Sequence, residues 1–188
     1  MSYNADLILI VDESGSMREQ RFATIKSVNG LVQAQRNLPG DLAITLVTFN
    51  AETCMRRTRV RAWDFDYITP EDYFPSGGTA LCDAVCRVLD TASRWDAPPG
   101  TGRIVAIVTD GVTNADRERS KADVKARVDK LTADGWEFIF VGSGVDAISE
   151  GVQYGISQSL QANLTHDSGT RLAYSVTSQA ISDLRAKP

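Results

Sequence analysis

The sequence predicts an α/β fold: three layers, α-β-α, around a doubly wound, mostly parallel sheet with one antiparallel edge strand. Three observations carry that prediction. Residues 5–11 and 103–109 are continuous aliphatic runs rather than alternating ones, the pattern of strands covered on both faces. Segments of helical period separate most strand candidates and give the order β-α-β-β-α-β-α-β. The link Asn50-Ala51-Glu52 joins two strand candidates directly and suits a hairpin, which makes one strand antiparallel.

Residues 5–11 form the first strand. Phe22, Ile25, Val28, Leu31 and Val32 then recur at helical spacing over residues 17–36, and Pro39-Gly40 ends that segment. Asp41–Phe49 reads as the second strand, and Thr53–Ala62 alternates loosely enough to be an exposed edge partner. Leu81, Val85, Val88 and Leu89 mark a second helix stopped before Pro98-Pro99-Gly100, ahead of the strand at 103–109. Val124, Val128 and Leu131 mark a third helix that stops near Gly135. The tail follows as a strand at Trp136–Val141, a short helix at Asp146–Tyr154 and a last strand at Leu160–Leu164. A closing helix is marked by Leu172, Val176, Ala180, Ile181 and Leu184. With 188 residues and no repeat, low-complexity tract or linker, the expectation is a single domain over 1–188.

The composition, 43% hydrophobic and 23% charged, belongs to a globular chain rather than a disordered one, and no apolar run approaches a membrane span. A formal net charge of −4 offers no global attraction to nucleic acid or anionic lipid. The N-terminus lacks a basic segment and a small-residue cleavage site, and three loosely spaced cysteines make no disulfide framework. Together these place the chain in the cytoplasm by expectation.

Sites in such sheets gather at the carboxyl ends of strands. Asp12, Ser14 and Ser16 alternate in the loop leaving the first strand, Thr79 follows Gly77-Gly78, and Asp110 follows the later aliphatic strand in Thr109-Asp110-Gly111. Carboxylates and hydroxyls are hard oxygen donors, and five of them plus water suit Mg²⁺, which takes six oxygens in near-octahedral array. Each residue alone also suits a structural role. Ser16-Met17-Arg18-Glu19 has the form of a capping box, Thr79 precedes a helix, and Asp110 before Gly111 suits a turn. Jointly, at strand and loop ends, the five favour a metal site.

Asp12-x-Ser14-x-Ser16, Thr79 and Asp110 resemble the metal-ion-dependent adhesion site (MIDAS) of von Willebrand factor A (vWA) domains. The strand before Asp12, the Gly-Gly-Thr and the Thr-Asp-Gly are similar to that family too, and the resemblance spans the chain. The tail, with Gly135–Gly142 and Ser168–Tyr174, is similar to small standalone bacterial and phage members. The resemblance implies the Rossmann-like vWA fold and a divalent ion, usually Mg²⁺ with Mn²⁺ or Ca²⁺ as alternatives. It implies that serine and threonine hydroxyls hold the ion, that the aspartates act partly through water, and that an Asp or Glu of a protein partner fills an open position. Binding without catalysis is the expectation, and in some bacterial relatives the partner is a AAA+ ATPase assembly.

Other signals are weaker. Ser14 or Ser16, Asp110 and His166 follow the chain order of an α/β-hydrolase triad, but no Gly-x-Ser-x-Gly elbow exists and His166 lies in a polar stretch. A metal-assisted hydrolase or phosphotransferase therefore has a cation but no convincing base or nucleophile. Gly142-Ser143-Gly144-Val145-Asp146-Ala147 matches a dinucleotide fingerprint, yet after the fifth strand rather than the first. Arg57, Arg59 and Arg61, with Arg56, read as charge guarding an edge strand, with a docking patch as the alternative. Cys54, Cys82 and Cys86 read as buried small residues. The aromatics Trp63, Phe65, Tyr67, Tyr73 and Phe74 either border the metal face or form a satellite core.

Overall fold

The computed structural model describes residues 5–111, 113–142, 147–161, 164 and 166–186. Its strands are β1 (Ala5–Asp12), β2 (Leu42–Phe49), β3 (Thr53–Arg61), β4 (Gly102–Thr109), β5 (Glu137–Gly142) and β6 (Gln158–Gln161). The helices are α1 (Arg21–Arg36), α2 (Leu81–Ala92), α3 (Lys121–Ala133), α4 (Ala147–Gln153) and α5 (Asp167–Arg185), with a 3-10 turn at Gly15–Arg18. The sheet order is β3-β2-β1-β4-β5-β6, with β3 antiparallel to β2 and every other pairing parallel. That is the expected doubly wound sheet with one antiparallel edge.

The aliphatic runs are explained by their place. In β1, Leu7, Leu9 and Val11 point into the core layer shared with α1 and α5, while Ile8 and Ile10 point into the layer shared with α2 and α3. Alternate residues face opposite layers and both layers are apolar, so the middle of β1 is aliphatic without interruption. Asp12 pairs with Phe49 at the carboxyl end of β1, and Val11 pairs with Val108 of β4. This register delivers Asp12 and the Thr109-Asp110 pair to one rim of the sheet.

Several expectations are corrected. α1 begins at Arg21, after the 3-10 turn, not at 17. Phe22 is 70% exposed, because it lies roughly 120° round the helix from the centre of the buried stripe, which Thr24, Ile25, Val28, Leu31, Val32 and Gln35 fill. On α5 the error has the same cause. Leu172 and Val176 are exposed, and the buried face is Thr170, Ala173, Tyr174, Thr177, Ile181 and Leu184. The last strand runs over Gln158–Gln161 rather than Leu160–Leu164. Cys54 is exposed, whereas Cys82 and Cys86 are buried as expected.

The edge strand also differs from its reading. Register shifts interrupt the β2–β3 ladder, and Arg59 sits at φ 48, so the arginines do not share one alternating face. Arg56, Arg57 and Arg59 instead reach inward to carboxylates of Glu13, Asp72 and Asp6 at 2.8, 3.3 and 3.1 Å. The aromatic loop divides between the core and the surface, and Trp63 lies beside residues 36–41, at the end of β2 away from Asp12. Phe65 and Tyr73 are core residues, while Trp63 and Phe74 are 74% and 62% exposed.

Candidate metal centre

Three loops converge at the carboxyl ends of β1 and β4. The first leaves β1 and is pinned along its backbone: the Glu13 amide donates to Phe49 O (2.6 Å), the Gly15 amide to Gly77 O (3.0 Å), and the Ser76 amide to Glu13 O (2.9 Å). Tyr73 Oη donates to Asp12 O at 2.6 Å. Glu13 is buried and accepts Arg56 Nη2 at 2.8 and 3.1 Å and the amide of Phe74. A buried carboxylate persists when it is paired and hydrogen-bonded, and this one fastens the site loop to β3.

The second loop carries Thr79. Gly77 at φ +71 makes the turn that L side chains disfavour, and a Cβ on Gly78 would stand 3.0 Å from both Ala115 Cβ and Asn114 Oδ1. The Thr79 amide donates to Asn114 Oδ1 (2.8 Å), and Thr79 O accepts from Thr113 Oγ1 (3.0 Å) and the amide of Asn114 (2.9 Å). The third loop brings Thr109, whose Oγ1 donates to Asp12 Oδ2 at 2.6 Å, and Asp110 beside it.

At the centre, Asp12 is fully buried and accepts the Ser14 amide on Oδ1 at 2.7 Å. Ser14 Oγ and Ser16 Oγ lie 3.0 Å apart, and Ser16 Oγ donates to Asp110 Oδ1 at 2.8 Å. Four of the five expected residues are thus joined in one network, and the pinned second loop brings buried Thr79 alongside. Among the described residues the Thr79 hydroxyl makes no hydrogen bond. The first turn of α2 is capped from elsewhere, by Thr113 Oγ1 on the Leu81 amide (3.3 Å) and Asp116 Oδ1 on the Asp83 amide (3.0 Å). The capping readings of Ser16 and Thr79 are therefore wrong. Neither hydroxyl serves a helix, since the 3-10 turn has no side-chain cap at Ser14 and α2 has none at Ala80.

Electrostatics show what the network lacks. Burial pushes the Asp12 carboxyl up from 3.8 to about 6, against the pull of the Thr109 and Ser14 hydrogen bonds, and the neighbouring Asp110 raises it further. Asp110 is raised too, by burial, with the Ser16 hydrogen bond opposing. Among the described residues no cationic side chain stands against these two carboxylates. A divalent cation fits this donor set. A serine hydroxyl can donate its proton to a carboxylate while its lone pairs accept an ion, and the Thr79 hydroxyl has no partner among the described residues. Among the described residues no three His, Cys, Asp or Glu side chains cluster, so hydroxyls must supply part of any coordination here.

His166 is exposed and precedes α5, and its ring makes no hydrogen bond to Ser14, Ser16 or Asp110, so no triad assembles. Of the glycine-rich dinucleotide match at 142–147, residues 143–146 lie outside the described residues. Four supporting residues were not anticipated: Glu13, Tyr73 as an anchor of Asp12, Asn114 and Thr109. Thr109 alone carried a signal, being adjacent to Asp110. Asn114 meets Thr79 only through the fold.

Similarity to known proteins agrees with this architecture. A von Willebrand factor type A protein from Catenulispora acidiphila superposes with a TM-score of 0.68 at 18% identity, over 99% of this chain and 44% of that one. Proximal thread matrix protein 1 from the mussel byssus, with a zinc-occupied MIDAS motif, gives 0.66 at 18% identity over 97% and 48%. Manganese-loaded TRAP protein from Plasmodium vivax gives 0.65 at 20% identity over 98% and 74%. This chain spans about half the length of the first two. No curated protein matches the sequence. The family model of the von Willebrand factor type A domain matches residues 6–178, and the chain therefore belongs to that family.

Proposed function

We propose that Asp12, Ser14, Ser16, Thr79 and Asp110 hold a divalent cation, Mg²⁺ ahead of Mn²⁺ or Ca²⁺, through which the chain binds a protein partner bearing an Asp or Glu side chain. One observation carries the reading: the Ser16 hydroxyl lies between Ser14 Oγ and Asp110 Oδ1, in a network whose buried Asp12 has no positive counterpart among the described residues. The bound ion would supply a coordination position at which a partner's carboxylate replaces water.

The chain's own residues prepare that position. Thr109 and the Ser14 amide fix one oxygen each of Asp12, and Asn114 fixes the backbone of Thr79. Neutral hydroxyls as direct donors would leave the ion attraction for one more carboxylate. Zinc in the mussel relative and manganese in the Plasmodium relative support a divalent ion in this family. The role we assign is binding without turnover, because the serines of the network face each other and Asp110 and no imidazole stands against either hydroxyl among the described residues, and we place that role in the cytoplasm.

The test is a thermal melt in Mg²⁺ and in chelator. Mg²⁺ at about a hundred times its dissociation constant adds about 2.7 kcal/mol, which for a chain of this size raises the melting point by roughly 5 to 10 °C. Asp12→Ala should show no such rise. Superimposable melts of the parent chain with and without Mg²⁺ would remove the proposal.

A further inference from the structure

A cleft flanking the site on its Thr79 side holds chemistry that the cation site leaves unused. Its floor is the outer face of α2, and its walls are the turn at residues 51–53 and the loop at 117–119; it encloses about 540 Å³. Ala80, next to Thr79 in the chain, lines its near end and donates its amide to Asn50 O at 2.7 Å, so the cleft begins one residue from a proposed ligand of the ion.

Arg87, Arg94, Arg117 and Arg119 line the cleft, and all are exposed. None forms an ion pair among the described residues. Four carboxylates share the space, but two are engaged. Asp83 accepts the amides of Arg117, Glu118 and Arg119 at 2.8, 3.2 and 2.7 Å, which is what shapes the 117–119 wall. Asp90 takes the fork of Arg127 at 2.8 and 2.9 Å. Glu52 and Glu118 are the lining carboxylates left without a side-chain hydrogen bond among the described residues, while Asp90 acts through space on Arg94 and Arg119 and Asp123 on Arg119, in a chain whose net charge is −4. A guanidinium is matched by a carboxylate in a two-pronged bond.

We propose that this cleft binds an acidic segment of the partner: one carboxylate meets the ion, and carboxylates neighbouring it along the partner chain enter among the arginines. The proposal rests on the cation reading for the first carboxylate only. A carboxylate-bearing segment fits better than a nucleic acid, because no aromatic side chain on which a base would stack lines the cleft.

The experiment uses fluorescein-labelled octaglutamate and reads anisotropy in Mg²⁺ and in chelator. The parent chain should bind best in Mg²⁺ and retain weaker, salt-sensitive binding in chelator. Arg87→Glu/Arg117→Glu, whose surface positions leave the melt unchanged, should weaken binding about tenfold under both conditions. Asp12→Ala should bind in Mg²⁺ as the parent does in chelator. Arginine dependence without Mg²⁺ dependence would sustain the cleft and sink only the cation reading. Parent-like binding by the double arginine variant, or tighter binding of an oligothymidylate of equal charge, overturns the cleft proposal.

Discussion

Ser16-Met17-Arg18-Glu19 and Ser120-Lys121-Ala122-Asp123 carry the same serine-x-x-acid signature, and the fold uses them in opposite ways. At residue 120 the signature does what it advertises. The Asp123 amide donates to Ser120 Oγ (3.3 Å), the Ser120 amide donates to Asp123 Oδ2 (2.8 Å), and α3 starts there. At residue 16 the box stays open. The serine hydroxyl donates to Asp110, 94 residues away, and α1 starts later, at Arg21. The difference is what each hydroxyl faces. Ser120 meets bare helix amides, whereas Ser16, also exposed, sits beside the half-buried Asp110, whose need for a donor is greater. A hydroxyl withheld from its obvious local partner marks a site.

The largest effect that sharpens this contrast is a gain in stability on damaging the site. With cations chelated, Asp12 is a buried carboxylate with its pKa near 6 rather than 3.8. A raised pKa penalises the ionised folded state above about pH 6, and the penalty fades as pH falls toward the ordinary value. At about 1.4 kcal/mol per pH unit, close to 3 kcal/mol is at stake at neutral pH. Asp12→Asn keeps the side chain's shape and removes the charge, so after imperfect hydrogen bonding it should gain about 2 kcal/mol in chelator at pH 7. That gain should shrink toward zero near pH 4, and the Mg²⁺ response should be absent. Urea denaturation at the two pH values measures it. An Asn variant less stable than its parent at pH 7 without cations would contradict the idea of a site held under charge until an ion arrives.

Next in size is the pair of serine deletions. Ser120→Ala should lower stability by about 1 kcal/mol in Mg²⁺ and in chelator alike, the ordinary cost of a lost helix cap. Ser16→Ala should stay within about 0.5 kcal/mol of the parent in chelator, as exposed substitutions do. Its cost belongs in Mg²⁺ affinity, a loss of about tenfold by calorimetry. If both variants lost stability equally and kept their Mg²⁺ affinity, Ser16 would be a cap after all.

What the sequence made legible follows from which interactions are local. β1 and β4 were readable because burial on both faces leaves a continuous aliphatic run, and the Asp12 loop because its three oxygens alternate within five residues. The faces of α1 and α5 were misread where threonines, Gln35 and Tyr174 fill the buried stripe while Phe22, Leu172 and Val176 point outward. Hydrophobicity alone cannot order such a stripe. The inward anchoring of Arg56 and Arg59 was hidden because their partners, Glu13 and Asp6, stand 43 and 53 residues away. The caps of α2 by Thr113 and Asp116 were hidden for the same reason, and with them the freedom of the Thr79 hydroxyl.

The smallest effect lies in the acidic member of each signature. Asp123 Oδ2 accepts both the amide and the hydroxyl of Ser120, and these bonds hold its carboxyl below the usual range. Glu19 is exposed and accepts nothing from the Ser16 amide. Asp123→Ala should therefore speed hydrogen exchange at the Ser120 amide several-fold, because its acceptor is gone and the first turn of α3 frays. Glu19→Ala should leave exchange over residues 16–19 unchanged, since the backbone there is held by the Met17 and Gln20 amides on Ser14 O and Met17 O at 3.1 and 3.0 Å. Faster exchange at Ser16 in the Glu19 variant would mean that the box closes in solution, and Ser16 would then divide its hydroxyl between a helix and a metal.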